Sequence, residues 1–158
     1  MVHYTVHYKF SQRFPFSAED AYGWSVDYDS DDFSLMGLDG RREIERIDQD
    51  TLILDDTIFA NGRTAKKRRL IRLFPELLTL TNTRLSSPNK HSQFIYQFVA
   101  EGEGGSHLDF TGAQVNKSER RPTPAKIAAL ASEYTRVDSS LWVSLAAAME
   151  KDLAGRRR

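Results

Sequence analysis

The sequence of 158 residues contains no cysteine, which excludes disulfides and thiolate chemistry. It carries no net charge, because 22 Lys and Arg balance 22 Asp and Glu. That balance removes the electrostatic ground for expecting nucleic acid or an anionic membrane as partner. No stretch approaches the ~18 consecutive apolar residues that a membrane-spanning helix needs. The opening MVHYTVHYKF lacks the apolar core of a signal peptide. A cytoplasmic protein with no integral membrane association is the expectation.

Chemistry-bearing patterns are also scarce. His3 and His7 share a strand face but lie about 13 Å apart at ~3.3 Å per residue, too far to chelate one ion. His107 and Asp109 share a face that reads as the outer one. Asp27, Asp29 and Asp31 match the first ligand positions of a calcium loop. Asp32, however, stands where that loop requires glycine, and Leu38 where it requires the bidentate glutamate. GEGG precedes a strand rather than a helix, so the dinucleotide reading fails. No nucleophile, base and orienting group form a set. Neither a catalytic residue, a metal nor a cofactor is assigned.

Hydrophobic residues make up 40% of the chain, enough for one packed domain. VHYTVHYKF alternates strictly, as a half-buried strand does. Ser17 followed by Asp20 reads as the capping box of a short helix. The acidic run after Asp27 reads as a second short helix or a loop. Six runs then follow at regular spacing, at Gly40–Ile47, Thr51–Phe59, Arg63–Phe74, Leu77–Leu85, Ser92–Glu101 and Ser106–Val115. Turn signals separate them, so they predict an antiparallel meander. After Thr123 and Pro124, a capping residue and a first-turn proline, the period becomes helical. Ile127, Leu130, Ala131, Tyr134, Val137, Leu141, Leu145 and Ala148 mark the apolar stripe. The helix is expected to end at Gly155, about 45 Å from its start.

The run Lys66-Lys67-Arg68-Arg69 looks like a nucleic-acid patch until it is placed on a strand. Asn61-Gly62 is a strong two-residue hairpin signal. Counting back from it, Asp55 faces Arg68, Asp56 faces Lys67 and Leu54 faces Arg69. Successive side chains of a strand point to opposite faces. Lys66, Arg68 and Arg72 therefore go outward, where opposed charges contribute roughly 0.2–1 kcal/mol per pair. Lys67 and Arg69 go inward with Leu52, Leu54 and Ile71. A two-residue turn at Pro75-Glu76 would pair Leu73 with Leu78, Ile71 with Leu80, Arg69 with Asn82 and Lys67 with Arg84.

The order strand, two short helices, six-strand meander and long C-terminal helix resembles the START-like helix-grip (SRPBCC) superfamily. This superfamily includes birch-pollen-allergen-like proteins, lipid-transfer domains and polyketide cyclases. FPFSAEDAYGWSVDYDS is similar to the family's opening, with Ala21-Tyr22, Trp24 and Asp27 in its characteristic positions. GEGGSHLDF resembles the family's Gly-Gly-Thr-x-Leu turn, with Ser106 for Thr. The resemblance implies an α+β fold, with a curved antiparallel sheet of about seven strands around the C-terminal helix. It also implies a cavity between sheet and helix; one domain is expected over residues 1–155, followed by a basic tail at 156–158.

On the inferred inner face, Asp56, Lys67, Arg69, Asn82 and Arg84 form a polar belt. Charges facing a dry core would cost several kcal/mol unless paired. Either the belt holds a polar or anionic ligand head, or this end of the sheet extends beyond the helix as ordinary surface. Tyr4, Tyr8, Phe10, Phe94, Tyr96, Phe98, Phe110 and Tyr134 also fall on inner faces. Tyr96 and Tyr134 are candidate ligand contacts, since a buried hydroxyl needs a partner. Ile71 and Leu80 would flank the ligand's apolar body, and Arg69 would hold its head. The expected function is binding or transport of a small hydrophobic or amphipathic molecule. The resemblance allows two alternatives, a polyketide cyclase or aromatase and an interaction module that activates a chaperone ATPase. In a gel shift at micromolar protein and physiological salt, duplex DNA is expected to show no appreciable binding. A shifted band fading steeply with added salt, as counterion release demands, would contradict this.

Overall fold

Asn61 and Gly62 both adopt positive φ, 52° and 71°. This is the combination whose twist matches the flanking strands. The strands it joins are β3 (Thr51–Ala60) and β4 (Arg63–Phe74). Their register runs from Ala60 opposite Arg63 to Leu52 opposite Ile71, with Asp56 opposite Lys67. The turn chemistry of two residues thus sets which face every side chain of the hairpin takes.

The computed structural model describes residues 1–28 and 32–156. The calcium-loop reading at Asp29 and Asp31, and the tail residues Arg157 and Arg158, lie outside the described residues. The remaining elements are β1 (Val2–Phe14), α1 (Ala18–Ser25), α2 (Asp32–Leu35), β2 (Asp39–Asp48), β5 (Thr79–Arg84), β6 (Gln93–Glu101), β7 (Gly105–Ser118) and α3 (Pro124–Arg156). The strands form one antiparallel sheet in the order β1-β7-β6-β5-β4-β3-β2. Long-range pairing of β1 with β7 brings the first strand beside the last, and α3 packs across it. This is the helix-grip arrangement expected. Ser17 caps α1, its hydroxyl accepting from the Asp20 amide at 3.1 Å. Thr123 caps α3 through the Lys126 amide at 3.2 Å.

One register differs from the expectation. Leu73 pairs with Leu80, Ile71 with Asn82 and Arg69 with Arg84. The β4–β5 pairing is thus displaced by two residues from a two-residue turn. Proline cannot take the positive φ that such a turn demands. Pro75–Leu77 instead form a turn of 3-10 helix, closed by Leu78 at φ 47°. An even displacement keeps every side chain on its face, so the belt stays inward.

The helix also differs in phase. Val137 is 49% exposed, while Trp142, Met149 and Leu153 are buried. Ala131, Tyr134, Leu145 and Ala146 pack against the core beside them. Helical geometry continues through Gly155 to Arg156 rather than stopping at the glycine. Over 33 residues, an ideal helix drifts against any fixed three-and-four spacing, and the buried stripe moves from Val137 to Trp142. Leu52, Leu54, Ile71 and Leu108 meet this stripe from the sheet and have no exposure. Met149→Ala is expected to destabilise the fold by about 2–5 kcal/mol. Val137→Ala should stay within about 0.5 kcal/mol. Urea denaturation separates the two, and equal losses would show the helix phase to be wrong.

Candidate functional site

Asp56 is the centre of the belt. Its inward carboxylate on β3 is 3% exposed and meets guanidinium groups from both neighbouring strands. Arg42, opposite Asp56 on β2, donates from Nε to Oδ1 at 2.7 Å and from a terminal nitrogen to Oδ2 at 3.0 Å. Arg69 on β4 donates to Oδ2 at 2.5 Å. The fork of Arg42 matches both carboxylate oxygens. Its guanidinium also lies 5.0 Å from the Phe33 ring centroid. Burial pushes the Asp56 carboxyl up, but the bonds from Arg42 and the charges of both arginines outweigh it. The net shift is below the ordinary value.

Beyond Asp56 the belt is positive. Lys67, Arg69 and Arg84 surround one carboxylate that two arginines already occupy. Nε of Arg69, Nε of Arg84 and Oδ1 of Asn82 are buried with no protein partner. Such groups forfeit water without replacing it, at about 1–3 kcal/mol each. Burial, then the charges of Arg84 and Arg69, push the Lys67 ammonium below its usual value.

The opposite wall comes from α3 and β1. Asp138 accepts a 2.5 Å hydrogen bond from the Tyr8 hydroxyl. Burial raises the Asp138 carboxyl, against the opposing effects of Tyr8 and the Lys67 charge. The Tyr8 phenol is pushed up, first by burial and then by Asp138. Gly112 makes this reach possible. A Cβ there would lie 2.7 Å from Cε1 and 3.0 Å from Cζ of Tyr8, so only glycine lets the ring cross β7 toward the helix.

Between these walls lie two adjoining lobes of about 140 and 290 Å³. Both are bordered by Met36, Arg69, Asn82, Tyr96, Leu141 and Trp142. The smaller adds Trp24, Tyr28, Leu80 and Arg42. The larger adds Asp56, Lys67, Arg84, Tyr8, Asp138, Phe94 and Phe110. Phe94 and Phe110 stack at 5.9 Å between centroids, and Tyr96 meets Phe110 edge-on at 5.1 Å. Burial raises the Tyr96 phenol as well.

The structure therefore brings Asp56, Lys67, Arg69, Asn82, Arg84, Tyr96 and Leu80 together on cavity walls. Ile71 is fully buried in the core. Tyr134 packs 5.6 Å from the Tyr8 ring, and its hydroxyl accepts from Asn116 Nδ2 at 2.8 Å. Neither borders the two lobes. Leu141, assigned to the helical stripe, borders both.

Arg42 and Asp138 were not legible as site residues. Arg42 was hidden because the β2–β3 register shifts between Arg46 and Asp48, which defeats counting back through the turn. Asp138 carried a signal. It stands four residues after Tyr134 and three before Leu141, an acid inside an apolar stripe.

No family model matches the sequence, and no curated protein was found to resemble it. Solved structures do match. The Zhui aromatase/cyclase from Streptomyces sp. R1128 has a TM-score of 0.76 at 11% identity, covering 95% of this chain and 96% of that one. Ara h 8.0201 has a TM-score of 0.71 at 11% identity, covering 94% and 99%. Truncated norcoclaurine synthase from Thalictrum flavum has a TM-score of 0.68 at 12% identity, covering 92% and 94%. At such identities the likeness establishes architecture. This chain has the helix-grip fold that those proteins and a START superfamily protein from Mycobacterium smegmatis share. Among the described residues, no helix is long and apolar enough to cross a membrane.

Asp56→Asn removes the buried carboxylate charge that Arg42 and Arg69 share. It is expected to cost about 3–5 kcal/mol at neutral pH. The native carboxyl titrates below the unfolded value of about 3.9. Its contribution is thus complete above that pH and is lost as pH falls through the native value. Urea denaturation of both proteins between neutral and acid pH should show the difference shrinking below about pH 3.9. A constant difference would exclude this role for the carboxylate.

Proposed function

We propose that the protein binds a small molecule with an aromatic or otherwise apolar body and an anionic or carbonyl-bearing head. The body lies between Trp24, Tyr96, Leu80 and Trp142, and the head faces Arg84, Lys67 and Arg69. The observation that carries this reading is the set of buried, unpartnered donors on the cavity wall. They require an acceptor that the protein itself does not supply. Mostly apolar walls with a few placed polar groups are the usual composition of a ligand site.

The burden of recognition shifts from Arg69 toward Arg84. Arg69 is already bonded to Asp56, whereas Arg84 opposite it on β5 has no carboxylate partner among the described residues. Arg84→Met keeps much of the apolar stem and leaves the Arg42–Asp56–Arg69 knot whole. Anilinonaphthalene sulfonate, an aromatic body with an anionic head, is a suitable ligand for calorimetric titration. A charge-assisted hydrogen bond contributes roughly 1.5–3 kcal/mol. Arg84→Met should therefore weaken binding about 10- to 100-fold, and Arg69→Met should weaken it too. Unchanged affinity in both, with a loss in the outward Arg68→Met, would place the site on the other face of the sheet. Native mass spectrometry of the purified protein would identify a natural ligand.

A second reading rests on the Tyr8–Asp138 pair, which gives the cavity proton-transfer groups that simple binding does not need. It is an enzyme of the cyclase or aromatase type acting on a polyketide-like substrate. Conversion of a co-purified ligand would favour it, and binding without turnover would favour the first.

A further inference from the structure

Lys67 is the one member of the belt whose position calls for chemistry as well as charge. Its strand neighbour across the β3–β4 ladder is Asp56, but that carboxylate is taken by Arg42 and Arg69. No described residue forms a hydrogen bond or ion pair with the Lys67 amine. Asp138 on α3 acts on it through space, accepts a hydrogen bond from Tyr8 and lines the same lobe. The amine faces the larger lobe together with Arg69, Arg84 and aromatic rings. Desolvation beside other cations is the environment that turns a lysine from a solvated ammonium into a free-amine nucleophile. Adjacent Lys66 is exposed on the outer face, so the chain carries its own control.

We propose that Lys67 Nζ forms a reversible imine with an aromatic aldehyde or ketone held in this cavity. The proposal rests on the cavity being a ligand site, and goes beyond it by assigning a covalent step. The free amine attacks the carbonyl carbon, forming the C–N bond as the π pair moves to oxygen. Both amine hydrogens then leave with that oxygen as one water, and a C=N bond remains. No oxidant or reductant is consumed. The Asp138 carboxyl, raised by burial, is the group placed to carry the proton from nitrogen to oxygen. Arg84 is placed to meet an anionic substituent beside the carbonyl, so an ortho-phenolate is the preferred neighbour.

Salicylaldehyde tests this directly. The protein is incubated with it, reduced with cyanoborohydride and digested, and the adducts on each lysine are quantified by mass spectrometry. Displacement of anilinonaphthalene sulfonate fluorescence reports cavity occupancy separately. The expected result is modification of Lys67 over exposed Lys66 by about tenfold or more near neutral pH, because desolvation beside other cations favours the free amine. Lys67→Arg, which removes the amine nucleophile and keeps the charge, should abolish that adduct. Arg84→Met should slow adduct formation at neutral pH and recover it at higher pH, as expected if the guanidinium's charge keeps the amine free. Equal labelling of both lysines, or Lys66 in excess, overturns the proposal. If salicylaldehyde then still displaces the sulfonate, the cavity reading stands and only the imine falls. If the sulfonate itself does not bind, the cavity reading falls as well.

Discussion

A carboxylate shut inside a β-sheet protein has to be answered by cations, and Asp56 is answered from both sides. Arg42 and Arg69 converge on it from the neighbouring strands. Breaking such a knot is costly because each partner left behind is a buried charge. The knot therefore ties three strands into one register, since a one-residue slip would turn one of the three outward. Arg42 is further held by aromatic faces, with Phe33 at 5.0 Å and Tyr28 at 5.7 Å. These contacts join the short helical segment after β1 to the far edge of the sheet. That segment walls the smaller lobe, so the buried ion cluster organises the cavity around it.

Neutralising Asp56 leaves a surplus of positive charge. Two arginines satisfy the carboxylate, while Lys67 and Arg84 have no carboxylate of their own on the sheet. The helix contributes Asp138, but Tyr8 engages it at 2.5 Å. Opposite charges thus sit across the larger lobe without closing on each other. A space between an unspent cation pair and a buried acid is where a polar head would gain most, because low local dielectric strengthens each contact. The aromatic floor of Phe94, Tyr96 and Phe110 supplies the apolar remainder. The proposed binding rests on this arrangement rather than on the fold, which by itself implies no function.

Much of this was legible in the linear sequence because it depended on neighbours. Asn61-Gly62 specified one hairpin, and period-two alternation then sorted Lys66 and Arg68 outward from Lys67 and Arg69. Ser17 and Thr123 announced the helix starts. The belt residues on β3, β4 and β5 were identifiable by parity alone, which survived a displacement of two at Pro75. Tertiary structure decided what parity cannot carry. Arg42 joined the site across a strand pair whose register is shifted near its turn. Asp138 joined it through a helix whose phase drifts over many turns, so spacing could not say whether Val137 or Trp142 faces the sheet. Gly112 had meaning only once Tyr8 lay across it. Local chemistry assigns a side chain to a face, whereas closure of the sheet against the helix decides which faces meet and which charges find partners there.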